Sequence, residues 1–427
     1  MCQNYNEMAV TKDIIRTLIK EGQELIENIE LYDRPYDFEN KGRYVLVGIR
    51  QAGKSYMLYK RAKQFLTQGV DKAEIVYIDF DDERLLGFKA EDFDLILQTY
   101  NAIYDRKPLL FFDEIQNIDG WEHFARRLAN QKYQVFITGS NAKMLSRDIQ
   151  TTLGGRYISG NVFPYSFAEY LEAQGIVLEK EWQYGKQRFT VQQQFDLYLH
   201  WGGFPELLNY QNKRRWLNEL YEKIVLGDVI LRNRIKNELP LRMIVKRLAD
   251  NILQPTSYNR LANLMKNAGF NISVSSVADY IGFIKNACLI FSLENYTSKF
   301  VEKATVKKHY FTDNGLLNVF LTGGETLLLE NLCAIFLYKK YGERLYFYNK
   351  NIEIDFYVPD EEYGVQVSYS IVDDETRRRE LTALEKLDGF MSLKRMVVVT
   401  YDEEETVHLS NGKIIEVIPC WKWLLEK

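Results

Sequence analysis

Short apolar runs alternate with amphipathic stretches along the first third of the chain. Unbroken apolar runs of about four to eight residues are typical of strands buried on both faces, and apolar positions repeating every 3.6 residues are typical of helices. Strands are predicted over 44–47, 74–80, 109–112 and 135–138, and helices over 11–29, 55–67, 93–104 and 121–131. This alternation predicts a parallel sheet covered by helices on both faces.

The pattern changes beyond residue 160 and is largely helical from 166 to about 250. The segment 241–296 then has the pattern of a winged helix, with helices over 257–266 and 275–286 and two wing strands. The second of these helices is poor in Arg and Lys, which favours a lid or protein contact over DNA readout. In the last third, a helix is predicted over 327–341 and strands over 344–349, 352–358 and 364–369.

The segment Gly48–Ser55 links the first predicted strand to the following helix and fits G-x-x-x-x-G-K-[ST]. In this pattern a glycine-rich loop curls around phosphate, which the N–H groups of the helix N-terminus bind. Lys54 is expected to reach the β- and γ-phosphates, and the Ser55 hydroxyl to hold Mg²⁺. The expected nucleotide-binding residues are Gly48, Arg50, Gln51, Ala52, Gly53, Lys54, Ser55 and Tyr56.

A second motif consists of the apolar run 108–112 and the two carboxylates that follow it, Asp113 and Glu114. In enzymes with such a phosphate loop, the Asp at the end of a strand holds Mg²⁺. The next Glu is well placed to take a proton from the attacking water. We therefore assign Asp113 to Mg²⁺, together with Ser55, and Glu114 to general-base catalysis. An acidic helix cap after a strand is the plainer alternative.

For Asn141 and Arg156, a functional and a structural interpretation carry equal weight. Asn141 follows the strand predicted beside that of Asp113, where it would contact the γ-phosphate or the attacking water. An ordinary Gly-Ser-Asn turn explains it equally well. Arg156 follows Gly154-Gly155 and is a candidate arginine finger, in cis or on a neighbouring subunit. A surface arginine is the alternative.

Composition narrows the class of protein. The chain has 427 residues, 46% of them hydrophobic and 27% charged, which suits two to four globular domains. The net charge of −4 is not that of a strongly basic nucleic-acid binder. The four cysteines and four histidines are dispersed and predict no zinc site. With no membrane-spanning run or signal peptide, we expect a cytoplasmic protein without membrane contact.

Carboxylates cluster in the last third of the chain. Alternation along 352–356 places Glu353 and Asp355 on one face of a strand, and Glu330 lies on the preceding helix. The plainer interpretation is that Glu353 and Asp355 are two carboxylates on a solvated face of the strand.

Taken together, the motifs resemble a prokaryotic family of AAA-type P-loop ATP-binding proteins. These proteins carry a C-terminal domain of unknown function related to the PD-(D/E)XK nucleases. The resemblance extends over nearly the full length and rests on residues 48–55, 111–116, 138–141, 153–156, 164–170, 202–206, 228–237, 310–317, 330–331, 353–356 and 366–369.

The resemblance implies ATP rather than GTP, with Mg²⁺ as the second cofactor. It implies an α/β fold with an AAA-like parallel sheet (1–160) and a C-terminal PD-(D/E)XK-like α/β domain (311–427). The pattern between them predicts a helical lid (161–240) and a winged-helix-like module (241–310). In that nuclease core, a helix Glu, a strand Asp and an E-x-K strand bind Mg²⁺; Gln366 and Ser368 replace the last two charged groups here. Since neutral groups are poor substitutes for them, we expect the fold without efficient cleavage.

The sequence thus predicts a Mg²⁺-dependent ATPase whose nucleotide state moves the C-terminal module. One alternative is a protein- or nucleic-acid-binding module, in which slowly exchanging ATP fixes domain orientation with little turnover. Another is a DNA-processing ATPase with a nuclease-like domain. ATP and ADP are the expected ligands, whereas a protein or DNA partner and oligomerisation stay open.

Overall fold

The computed structural model describes residues 10–426 except Asp33, with only the backbone of Phe300 and Val301. The chain divides into two compact units, residues 1–163 and 164–427.

The first unit is built around a parallel sheet with strand order β2-β3-β4-β1-β5. Its strands are β1 (Tyr44–Val47), β2 (Ile75–Asp79), β3 (Leu109–Asp113), β4 (Gln134–Gly139) and β5 (Ile158–Asn161). Its α-helices are α1 (Lys12–Asn28), α2 (Lys54–Thr67), α3 (Phe93–Ile103), α4 (Trp121–Asn130) and α5 (Arg147–Leu153). Since each pair of neighbouring strands is parallel, the carboxyl ends of the strands share one edge. The prediction of an α/β parallel sheet is confirmed.

Helix α1 illustrates how the apolar pattern builds this unit. The Thr11 hydroxyl caps its N-terminus, and its apolar stripe buries Ile15, Ile19 and Ile26. A Cβ at Gly22 would lie 2.7 Å from the carbonyl oxygen of Tyr77 on β2. Glycine therefore permits the close approach of this helix to the sheet.

The second unit contains a mixed sheet with strand order β13-β14-β12-β11-β10-β9-β7-β8-β6. Its strands are β6 (Thr256–Ser257), β7 (Ile290–Asn295), β8 (Val306–Phe311), β9 (Tyr346–Asn349), β10 (Glu353–Val358), β11 (Tyr363–Val367), β12 (Arg395–Thr400), β13 (Glu405–His408) and β14 (Ile414–Pro419). Its α-helices are α6 (Phe167–Ala173), α7 (Gln187–Trp201), α8 (Lys213–Lys223), α9 (Leu239–Asp250), α10 (Tyr258–Asn267), α11 (Val274–Asn286), α12 (Phe300–Thr305), α13 (Asn314–Asn318), α14 (Glu325–Tyr341), α15 (Asp374–Met391) and α16 (Cys420–Trp423). A π-helix, Ile224–Leu231, follows α8 directly.

The strands expected to form a wing belong to this same sheet. β7 and β8 pair in antiparallel fashion, and β7 also pairs in parallel with β9. The expected domain limit at residue 310 therefore falls within β8 and inside a continuous sheet. The expected limits at 240 and 310 stay predictions.

Two motifs of the second unit meet in a tight junction. The carboxylate of Asp313 accepts hydrogen bonds from the backbone N–H groups of Gly203 and Gly315, each at 2.8 Å. A Cβ at Gly203 would lie 2.3 Å from the carbonyl oxygen of Tyr165. The Gly-Gly-Phe-Pro turn and the start of α13 thus have a packing role.

Candidate nucleotide-binding site

The P-loop joins β1 to α2 at the carboxyl edge of the first sheet. Gly53 precedes α2 in a left-handed conformation, with φ at 93°, which glycine adopts without strain. In the part of the chain that the structure describes, no side chain caps the N-terminus of α2. Its first N–H groups and the positive end of the helix dipole are therefore suited to an anion.

Lys54 and Glu114 form a buried ion pair beside this loop. Lys54 Nζ lies 3.3 Å from Glu114 Oε1 and donates to the carbonyl oxygen of Ile49 at 3.1 Å. Gln116 Nε2 donates to Glu114 Oε2 at 2.6 Å and to Ser140 Oγ at 3.2 Å. Burial is the largest single influence and opposes ionisation of Glu114. The Lys54 ammonium is the next largest and, together with the hydrogen bond from Gln116 and smaller contributions, lowers the pKa of Glu114 to about 2. Glu114 is therefore an anion at neutral pH.

Asp113 is buried and surrounded by hydroxyl groups. Tyr77 donates to its Oδ2 at 2.8 Å, and Thr138 donates to its Oδ1. The Ser55 hydroxyl is hydrogen-bonded to the same carboxylate. Burial raises the pKa of Asp113, and repulsion from Glu114 adds to the rise.

Asp79 adds a further acidic group at this edge. It pairs in register with Asp113 on the neighbouring strand, so both side chains lie on one face of the sheet. Burial raises the pKa of Asp79 to about 7, with a contribution from the charge of Asp113. Negative charge is thus in excess here, although Lys54 neutralises Glu114.

This donor set fits a magnesium ion bound together with phosphate. Mg²⁺ prefers hard oxygen ligands and usually takes one or two from the protein, with phosphate and water completing its shell. The Ser55 hydroxyl and the Asp113 carboxylate are such ligands. As the side chains stand within residues 10–426 as described, no group of three or more His, Cys, Asp or Glu residues is arranged to hold a metal ion.

The backbone is strained at two positions of the site. Gln51 and Glu114 have positive φ angles of 60° and 48°. For residues with a Cβ, this left-handed conformation costs about 1–2 kcal/mol each. At Glu114, this conformation turns the chain between β3 and the short helical turn after it, and so directs the Glu114 side chain towards Lys54. Strain of this kind clusters at functional sites.

The remaining predicted loop residues have distinct surroundings. A Cβ at Gly48 would lie 1.9 Å from the carbonyl oxygen of Val162, so this position requires glycine. Arg50 Nη1 lies 3.8 Å from Asp81 Oδ2. Ala52 is buried, and its carbonyl oxygen accepts from Arg34 Nη1 at 2.9 Å. Tyr56 lies in the first turn of α2 and is 49% exposed.

Asn141 and Arg156 make other hydrogen bonds in the structure, and the role of Asn141 at the phosphate stays a prediction. Asn141 Oδ1 accepts from the backbone N–H of Lys143 at 3.0 Å and caps the short turn Ala142–Leu145. Its neighbour Ser140 makes the contact with Gln116 instead.

Arg156 is exposed and donates to the carbonyl oxygen of Gly154 at 3.1 Å. It precedes β5, whose first residue pairs with Tyr44, the first residue of β1. Arg156 therefore lies at the amino edge of the sheet, opposite the P-loop. A role as an arginine finger would have to be played on a neighbouring copy.

Sequence reasoning missed Tyr77, Asp79 and Gln116 as members of the site. Asp79 lies at the carboxyl end of a predicted strand, a position that signals ligand binding in parallel sheets. Tyr77 and Gln116 gave no such signal, because their contacts depend on the order of the strands.

Comparison with known proteins agrees with the P-loop assignment. Residues 40–171 match the family model of an AAA domain, which confirms the prediction of an AAA-type domain there. Residues 192–326 match a model described as a domain of unknown function. The expected relation of the C-terminal region to PD-(D/E)XK nucleases stays a prediction.

Two relatives that carry the description uncharacterized protein match much of the chain. The protein MJ1544 of Methanocaldococcus jannaschii is 29% identical over 438 residues, covering 98% of this chain and 97% of the relative. A Haemophilus influenzae protein is 28% identical over 279 residues, covering 64% of this chain and 67% of the relative.

Among solved structures, the Walker-type ATPase PABY2304 of Pyrococcus abyssi has a TM-score of 0.42 at 14% identity. That match covers 74% of this chain and 97% of the archaeal one. AMPPCP-bound DnaA of Aquifex aeolicus has a TM-score of 0.25 at 15% identity, covering 66% and 93%. Within the described residues, no helix is both long and apolar enough to cross a membrane.

Proposed function

We propose that this chain binds ATP with Mg²⁺ at the P-loop and hydrolyses it. The observation that carries the proposal is the convergence of Lys54, Asp113 and Glu114 at the carboxyl edge of one parallel sheet. Lys54 Nζ is 3.3 Å from Glu114 Oε1, and Asp113 shares a hydrogen bond with Ser55 beside them. An ammonium group, a hydroxyl group and two carboxylates next to an uncapped helix N-terminus suit a triphosphate with its metal ion.

Each side chain has a separate task in this proposal. Lys54 and the N–H groups of the first turn of α2 bind phosphate oxygens. Ser55 and Asp113 hold the metal ion, which neutralises phosphate charge when bound. Glu114 orients the attacking water and takes its proton.

The ion pair between Lys54 and Glu114 provides a way to activate the base. An ammonium group that turns to phosphate leaves the carboxylate, and so removes the attraction that lowers the pKa of Glu114. Glu114 then becomes a stronger base when nucleotide is bound, while Gln116 and Ser140 keep it oriented. The same change of partner by Lys54 would also drive the conformational response that we propose for the C-terminal module.

Exchange of Glu114 for Gln tests the hydrolytic step. The amide keeps the size and the contact with Gln116 but cannot take a proton. We expect Glu114→Gln to bind ATP with Mg²⁺ and to lower the single-turnover rate by about 10²–10⁴-fold. Rapid-quench measurement of ADP formation, with excess protein over ATP, reports this step directly.

Glu91→Gln, an exposed change in the same unit, is the matched control and should keep the wild-type rate. Equal rates for Glu114→Gln and wild type would show that Glu114 is not the base. If ATP bound to the wild-type protein persists unhydrolysed for hours, ATP is instead a structural ligand that fixes the conformation.

A further inference from the structure

The second unit contains a lysine enclosed by carboxylates. Lys308, on β8, has no solvent exposure. Its Nζ lies 3.3 Å from Glu330 Oε1 on α14 and 3.2 Å from Asp355 Oδ1 on β10, and Glu353 Oε1 is 3.9 Å away. The acidic residues that resemble the metal-binding positions of a nuclease core thus converge, and an ammonium group lies among them.

Neutral hydrogen-bond donors also engage the carboxylates of this cluster. Tyr310 donates to Glu330 Oε1 at 2.7 Å, and the backbone N–H of Val367 donates to Asp355 Oδ2 at 3.0 Å. Burial disfavours a charged Lys308, but attraction by Glu330, Asp355 and Glu353 outweighs it, so the pKa of Lys308 lies above its ordinary value. The carboxylate oxygens that would bind a metal therefore already face a permanent positive charge.

The side chain of Gln366 makes hydrogen bonds that help to hold Asp355 in this cluster. Its Oε1 accepts from the backbone N–H of Asp355 at 2.8 Å, and its Nε2 donates to Glu380 Oε2 at 2.8 Å. Arg379 donates to the other oxygen of Glu380. The Gln366 side chain thus links Asp355 to a separate ion pair, so its oxygen is engaged with protein and not directed to a cation.

A cleft of about 750 Å³ adjoins this cluster. It is lined in part by Glu330, Asp355, Gln366, Ser368, Arg378 and Arg379. Ser368 hydrogen-bonds to the carbonyl oxygen of Ser370 at 2.8 Å and supplies no charge. Because Lys308 is fully buried, its ammonium cannot contact a substrate phosphate in the cleft.

We infer that the Lys308 ammonium is a built-in cation that takes the place of a divalent metal ion among Glu330, Asp355 and Glu353. The magnesium ion that a nuclease-like fold implies does not fit the residues present, since the ammonium occupies the centre of its ligand set. The cleft of the second unit therefore lacks a metal-dependent hydrolytic centre. This inference does not depend on ATP hydrolysis by the first unit.

Removal of the ammonium tests the inference, because the freed carboxylates should then bind a hard cation. The probe is Mn²⁺ added to the nucleotide-free full chain, with free Mn²⁺ followed by electron paramagnetic resonance. We expect Lys308→Met to take up about one Mn²⁺ per chain that wild type does not, and its melting temperature to rise with Mn²⁺. Lys307→Met, the neighbouring residue on β8 that pairs with Glu294, is the matched control and should behave as wild type.

Stoichiometric Mn²⁺ uptake by wild type that Asp355→Asn abolishes and Asp113→Asn does not would overturn the inference. Failure of a folded Lys308→Met protein to bind Mn²⁺ would overturn it too. Should Lys308→Met not fold, Lys308→Gln, which keeps a hydrogen-bond donor without the charge, undergoes the same titration with the same criteria.

Discussion

Each unit contains a buried lysine beside carboxylates, but the two lysines are held in different ways. Lys54 pairs with Glu114 at 3.3 Å, in the first turn of a helix that follows a glycine-rich loop. Lys308 lies within a strand and pairs with Glu330 and Asp355 at once, at 3.3 and 3.2 Å. The two lysines are almost equally buried, at 3% and 0% exposure, and Glu114 and Asp355 each retain 14%. The difference is therefore in the number of carboxylates that each lysine neutralises.

This difference indicates when a buried ion pair can act as a switch. Lys54 can leave Glu114 for a phosphate group, because the helix N-terminus beside it attracts the same anion. Lys308 has partners on two elements, α14 and β10, which hold its ammonium in place. In our proposals, the same pair of side-chain types thus serves exchange in the first unit and lasting charge neutralisation in the second.

The largest expected effect concerns the stability of the two pairs. Lys308→Met leaves buried carboxylates without their cation and should lower the free energy of unfolding by about 3–5 kcal/mol. Lys54→Met should cost about 1 kcal/mol, because it leaves one carboxylate rather than several without a cation, and Glu114 keeps its bond to Gln116. Urea unfolding of the nucleotide-free proteins without divalent ions, followed by circular dichroism, provides the comparison. Similar losses for the two variants would contradict the proposed distinction.

A smaller effect on stability is expected at Asp79, one of the acidic groups of the first unit. The pKa of Asp79 is raised from its ordinary value of 3.8 to about 7, so the folded state binds this proton more tightly than the unfolded state. Its contribution to stability is therefore full below about pH 4 and is lost as the pH rises through about 7.

Asp79→Asn should remove this loss. We expect the variant to exceed wild type by about 2 kcal/mol at pH 8 without magnesium, allowing for the remaining solvent contact of Asp79, and not to exceed it at pH 4. Asp105→Asn, an exposed change in the same unit, is the control. Urea unfolding as a function of pH checks this. A difference in stability between Asp79→Asn and wild type that does not change with pH would refute the excess of negative charge inferred at Asp79.

Much of the first unit could be predicted from the sequence because its signals are local. The apolar runs give β1 to β4 to within one or two residues, and the P-loop spacing identifies Lys54 and Ser55. Strand β5 and helix α5 were not predicted, since Ile158–Asn161 is mostly exposed and has no apolar run. The contact of Tyr77 with Asp113 could not be predicted without knowing that β2 lies beside β3.

The carboxylate cluster of the second unit shows the limit of such reasoning. Glu330 and Asp355 were expected to converge, and alternation correctly placed Glu353 and Asp355 on one strand face. Lys308 was not expected, because it belongs to a strand assigned to a different module. It lies 22 residues before Glu330 and 47 before Asp355 in sequence, so only the pairing of strands brings it to them.

Isothermal titration calorimetry of ATP with Mg²⁺ into the nucleotide-free full chain tests the central claim most directly. Wild type should bind one nucleotide per chain, and Lys54→Ala, which removes the ammonium that exchanges from Glu114 to phosphate, should show no measurable heat of binding at the same concentrations. Folded wild-type protein that takes up no ATP, or a Lys54→Ala variant that binds as tightly as wild type, would contradict the account.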